Sequence, residues 1–233
     1  MEKQKKKIIL PSELVYVLSI VIIAFAVSIL TTANFGISMI VAPAYILSEK
    51  ISFLTFGQSE YVIQAIIFII LCIIVRKIKP IFFVSFLTCL IYGLVLDLVR
   101  LIPIFNPTVC PPESLDLWVR IVFFVVGMVL TSIAVALSFK TYIYPQVYDF
   151  FVKEVPKRFK IKFSLLKTIF DMSMLLVGTI LTLILFKGFV GISWGTLIMA
   201  VANGSIIGFF SKTYDKYFIS KPLLPKFARL FEI

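Results

Sequence analysis

The run IVFFVVGMVLTSIAVALSF, residues 121–139, carries no charge over 19 positions. A helix needs about 20 apolar residues to cross a bilayer, and the chain repeats this pattern along its length. Six spans are predicted: 14–35, 60–76, 80–102, 118–139, 163–187 and 190–211. Barrel strands would instead show alternating segments of about 10 residues. Composition agrees, with 61% hydrophobic and 15% charged residues, against about 45–50% and 25% in soluble domains. The predicted class is an all-α integral membrane protein. The first apolar run, Leu14 to Leu30, exceeds the ~7–15 residues of a signal-peptide core, so it reads as a retained helix.

Charge sets the orientation. The net charge is +11, with 23 Lys and Arg and no His. Nineteen of these cations fall on one side of the predicted spans. Lys3, Lys5, Lys6 and Lys7 precede the first span, and Arg76, Lys77 and Lys79 separate the second and third. Lys140, Lys153, Lys157, Arg158, Lys160 and Lys162 separate the fourth and fifth, with Lys167 just inside the fifth. Lys212, Lys216, Lys221, Lys226 and Arg229 follow the sixth. Only Lys50, Arg100, Arg120 and Lys187 lie near the other side. The positive-inside rule then puts both termini in the cytoplasm of a plasma-membrane protein. The cations face anionic lipid headgroups, and without a basic, aromatic soluble module they do not argue for nucleic acid.

The two halves repeat a pattern. Each has a full helix, a short proline-containing element, then two full helices. Pro43 matches Pro145, Glu49 roughly Glu154, and Gln64 roughly Asp171; Gly93 falls opposite Gly204. Three crossings per half is odd, so the second copy must be inverted, an architecture recurrent in transporters. The predicted parts are a basic N-terminus (1–13), a first membrane repeat (14–102), an outer loop (103–117), a second repeat (118–211) and a cytoplasmic tail (212–233). The short segments 36–57 and 141–162 are expected to be helices broken near Pro43 and Pro145. Either they tuck inward, where protein or water satisfies their backbone, or they lie on the surface. The lysine-rich C-terminal half of the second favours the interface.

Several of these residues form short motifs. GISMIVAPAYILS with Gly36 and Ser38, FGQSEYVIQAIIFIILCIIVRK with Gly57, and YGLVLDL with Gly93 stand in the first half. IYPQVYDFF, LLKTIFDMSMLLVG and GFVGISWGTLIMAVANGSIIG stand in the second. Over about residues 14–215 this order resembles the YczE/YyaS/YitT-like bacterial membrane proteins. The resemblance implies a transporter-like fold, an acid on the fifth helix at Asp171, and a Gly-Thr start to the sixth at Gly195 and Thr196. It names no substrate. The family's glycines before the second proline are replaced here by Tyr142, Ile143 and Tyr144.

Asp171 is the most demanding residue. It stands eight residues after Phe163, about 12 Å along a helix. A carboxylate at that depth costs about 2.5–3.5 kcal/mol on insertion scales. Such a group faces the bundle interior and serves a pathway, or is simply tied to Lys167 one turn away. Gln64 and Asn203 are buried amides that bind a ligand or bridge helices. Asp97 is expected to pair with Arg100 and Arg120 near the outer end of its helix. Gly93, Gly178, Gly191, Gly204 and Gly208 are expected to allow close helix approach.

No G-x-S-x-G, H-E-x-x-H or P-loop pattern is present, and no His can serve as a general base. Cys72, Cys89 and Cys110 with no His form no metal-ligand pattern. The sequence therefore predicts no enzyme, cofactor or metal. The function expected is transport of an unknown small molecule, coupled to a proton or cation through Asp171, with Ser38, Gln64, Asp97 and Asn203 as further binding candidates. A substrate-binding subunit of a multi-component importer and a non-transporting accessory protein are the alternatives. A homodimer stays open.

Overall fold

A computed structural model describes residues 7–76 and 79–231; Lys3, Lys5, Lys6 and Lys77 of the charge count lie outside them. The chain is all-α apart from one small sheet. Strand β1 (Ile8–Pro11) leads into α1 (Ser12–Ala33), followed by α2 (Ala42–Lys50), α3 (Phe56–Val75) and, after a 3-10 turn at Pro80–Phe82, α4 (Phe83–Val99). The second half holds α5 (Leu117–Ser138), α6 (Val147–Phe159), α7 (Phe163–Phe186) and α8 (Trp194–Tyr217), then β2 (Phe218–Lys221) and a short α9 (Pro225–Ala228). Among the described residues six helices are long and apolar enough to cross a membrane: α1, α3, α4 with its leading turn, α5, α7 and α8.

The sixth span begins at Trp194 rather than 190 and runs on to Tyr217. Gly191 has φ +72°, which breaks the approach. A capping box between Ser193 and Thr196 then starts the helix, satisfying its first free N–H groups. The helix α1 ends where Asn34 turns left-handed and donates to Leu30 and Thr31, a common C-terminal stop.

The centre of the bundle is α1 packed along α5, with α4 beside α1 and α8 beside α5. Small residues are buried along α1, among them Ala24, Ala26, Ser28 and Ala33, and toward α5 a Cβ on Gly127 would strike Leu30 and crowd the Ala26 carbonyl. Where lipid replaces water, such close approach supplies the attraction that hydrophobicity supplies in solution.

Both short helices tuck inward. The segment 34–41 turns back from the end of α1, with Ile37 N–H bonding Gly191 O at 3.0 Å. Helix α2 lies between α3 and α7, with Ala42, Pro43, Ala44 and Ile46 buried. Segment 139–146 likewise enters the bundle, where Thr88 donates to Tyr144 O at 3.0 Å. Helix α6 packs on α3, α4 and α7, burying Val147, Tyr148, Phe150, Phe151, Val152 and Val155. Neither helix is broken at the matched proline, as the sequence suggested. Pro43 sits in the first turn of α2 and Pro145 precedes α6. In the first turn a missing N–H costs nothing and the fixed φ helps. It is Pro156 that lies inside α6.

Within the predicted tail, the described residues 212–231 fold back onto the chain. The end of α8 feeds β2, which pairs in parallel with β1, Ile8 opposite Phe218 and Pro11 opposite Lys221. Beyond it, Phe227 and Phe231 pack against Tyr142, and Phe231 also against Tyr144. The Glu13 carboxylate accepts from the N–H groups of Leu223 and Leu224 and from the Tyr142 hydroxyl at 2.6 Å. Burial, and the carboxylate it donates to, hold the Tyr142 phenol above its ordinary pKa.

The α3–α4 contact is the tightest of the first half. A Cβ on Gly57 would strike the Gly93 carbonyl and the Asp97 carboxylate. On α8, by contrast, a Cβ on Gly204 or Gly208 meets nothing within 4 Å, so neither carries the helix contact expected of it. Gly57→Ala is therefore expected to cost about 1–3 kcal/mol and Gly204→Ala close to nothing. Paired thermal melts in detergent check this; equal Tm losses would contradict the close packing at Gly57.

Candidate functional site

The cavity that matters most lies between α7, α5 and α8, where α7 and α8 do not pack closely along their length. Its volume is about 370 Å³, and its wall includes Ser38, Thr131, Asp149, Lys167, Asp171 and Asn203. Gly204 contributes bare backbone to the same wall. Four residues singled out from sequence, Ser38, Asp171, Asn203 and Gly204, thus meet in one space. They come from the turn after α1, from α7 and from α8.

Helical spacing explains the ion pair. Lys167 and Asp171 are four residues apart on α7, hence on one face. Lys167 Nζ donates to both carboxylate oxygens at 3.0 Å, and the side chains are 22% and 17% exposed. The pair is partly desolvated yet in reach of the cavity. Asp149 reaches the same wall from the first turn of α6. It stands four residues after Pro145 in IYPQVYDFF, where the sequence reading stopped at the proline. The Asn203 amide is tied to α5 by Ser132 Oγ, 3.4 Å from its Oδ1. The wall therefore carries two carboxylates, one amine and one amide. This set can bind a small solute bearing a positive charge, which would compete with Lys167 for Asp171.

Gln64 is elsewhere, wholly buried in a second polar cluster. Its Nε2 donates to Glu60 Oε2 and to Gln146 Oε1, both at 3.0 Å, and its Oε1 accepts the Val147 N–H at 3.1 Å. Tyr148 adds a donor to Glu60 Oε2 at 2.9 Å. This cluster ties the start of α6 to α3. Glu60 stands first in the predicted span 60–76, so its burial was not evident from the apolar run. The four-residue spacing to Gln64 was the available signal.

Asp97 does not pair with Arg100. Its carboxylate caps α3, accepting from the Thr55 hydroxyl at 2.6 Å and the Gly57 N–H at 2.8 Å, as the positive end of a helix favours. Arg100 lies over the Phe56 ring and Arg120 over Phe35. Arg120 Nε also donates to Ala33 O at 2.9 Å. Each guanidinium thus finds an aromatic face instead of the acid. Gly36, at φ +98°, lets its turn pass the Ser193–Thr196 cap. Gly195 donates to Phe35 O at 2.9 Å. These residues build the turn that brings Ser38 to the cavity.

Six apolar spans, two buried short helices and a polar cavity among them define a multi-pass membrane protein. The model of a family of unknown function, DUF6198, matches residues 10–212, and the chain belongs to that family. No curated protein and no solved structure matches the chain.

Proposed function

We propose that the chain is a plasma-membrane carrier, not an enzyme, for a small amine or zwitterion, with both termini cytoplasmic. The observation that carries this reading is the Lys167–Asp171 pair facing, with Asp149 and Asn203, a cavity of about 370 Å³ within a bundle of apolar spans. Ligand sites begin at about this size. An acid kept at such depth against its insertion cost is by default functional.

The packing order supports an inverted repeat. Helix α1 meets α4 as α5 meets α8, and α2 and α6 each lie against both α3 and α7. The halves differ in one respect: α3 and α4 close on each other, whereas α7 and α8 do not. A carrier that alternates access needs one half open while the other is closed. The exposed Arg158, Lys160 and Lys162 are the cations assigned to anionic headgroups.

Cysteine labelling tests both topology and access. Cys110, in the loop between α4 and α5, is expected to react with an impermeant thiol reagent in intact cells. Labelling only in inside-out vesicles would overturn the orientation. In a chain lacking the three native cysteines, Asn203→Cys is expected to label from both sides of the membrane, at different rates. Labelling from neither side would favour an accessory protein.

A further inference from the structure

Glu60 is wholly buried on α3, and among the described residues no cation pairs with it. Its two oxygens are treated differently. Oε2 accepts from Tyr148 and Gln64, while Oε1 has no partner. A carboxylic acid fits this pattern, with the carbonyl oxygen taking two donors on its two lone pairs and the other oxygen carrying the proton. A carboxylate would leave half its charge with neither donor nor solvent, which a buried site does not tolerate.

The neighbours cannot change this. Gln64 has both N–H groups and its carbonyl committed. From α4, Cys89 Sγ lies 3.9 Å from the Glu60 backbone carbonyl, and the buried Tyr92 hydroxyl has no partner. From α6 comes Tyr148, and α2 brings Tyr45 against Phe56, one turn away. None of these side chains is a cation at any pH.

We infer that Glu60 is a proton-binding site built into the α3–α6 contact, whose neutral form locks the 139–159 hairpin onto α3. The charged form needs water, and displacement of Tyr148 and Gln146 is what would admit it. Proton loss and hairpin release therefore favour each other, as linkage requires. The hairpin is held at low pH and freed as pH rises. Gln146 connects the lock to the solute cavity. It lines a water-sized space of about 30 Å³ together with Asp149, which also faces Asp171. The lock stands whether or not that cavity carries a solute, so its failure and that of the carrier reading are separable.

Infrared spectroscopy of the full chain in lipid tests this without a substrate. At neutral pH a protonated-carboxyl band is expected that shifts in Tyr148→Phe and vanishes in Glu60→Gln. With Cys72 and Cys110 replaced by serine, Cys89 reports opening by its labelling rate. That rate is expected to climb severalfold more steeply with pH in the Glu60 chain than in Glu60→Gln, the thiol's own ionisation being common to both. Should Glu60→Gln fail to fold, the Tyr148→Phe band shift decides alone. Absence of any band that Tyr148→Phe moves, or identical labelling profiles, overturns the proposal. So does labelling that follows sodium at fixed pH without a carboxylic-acid band, which would make this a metal-cation site.

Discussion

Asp171→Asn abolishes binding of small amines while the chain stays folded; that is the result expected if the α7 cavity is a solute site. The substitution keeps the shape and an acceptor for Lys167, and removes the charge that would draw a cation. Because the pair is partly exposed, its loss costs on the order of 1 kcal/mol in stability. Loss of binding is far larger on the same scale. A ligand at a hundredfold its Kd stabilises its protein by about 2.7 kcal/mol, several degrees in Tm. A melting screen of small amines and zwitterions against the purified protein is therefore expected to yield ligands that raise the wild-type Tm and leave Asp171→Asn unmoved. Ligands that stabilise both proteins equally would place their site away from Asp171. Lys167→Gln makes the complementary case: it frees Asp171 from its competitor, and amines are expected to bind it more tightly.

What the sequence made legible was whatever one side chain in the wrong solvent betrays. Asp171 stood out because an acid amid apolar residues has few explanations, and Asn203 for a similar reason. Helix positions followed from apolar runs, and errors at their ends came from local chemistry. Gly191 and the Ser193–Thr196 cap moved the last helix by a few residues. The contribution of Asp149 was hidden because it depends on whether α6 enters the bundle, and periodicity does not distinguish a buried short helix from a surface one. Phe150 and Phe151 of that helix pack inward, on Phe82 in the turn before α4 and on Phe170 of α7. Asp97 misled for the opposite reason. Its nearest cation in sequence was taken as its partner, while the donors that satisfy it, Thr55 and Gly57, lie some forty residues away.

Gln64→Leu is expected to be among the most destabilising single changes in the chain. Leucine fills much of the same volume, so little cavity is created and the loss is almost purely one of hydrogen bonds. Three bonds disappear together: those to Glu60 Oε2, to Gln146 Oε1 and from the Val147 N–H. The last matters most, because Val147 opens α6 and its donor lies in a wholly buried place. Each buried group left unsatisfied costs about 1–3 kcal/mol, so the sum is several kcal/mol, a large part of any domain's stability. The effect is also directional. Helix α6 is held to α3 by polar bonds, those of this amide and that of Tyr148 to Glu60, whereas its contact with α7 is aromatic, Phe151 stacked on Phe170 at 5.0 Å. Loss of the amide should therefore loosen the hairpin before the bundle. In Gln64→Leu, hydrogen exchange is expected to rise over 140–159 while α1 and α5, packed through small residues, keep their protection. Uniform loss of protection would mean the amide supports the whole bundle, and unchanged exchange that the aromatic contacts alone hold the hairpin.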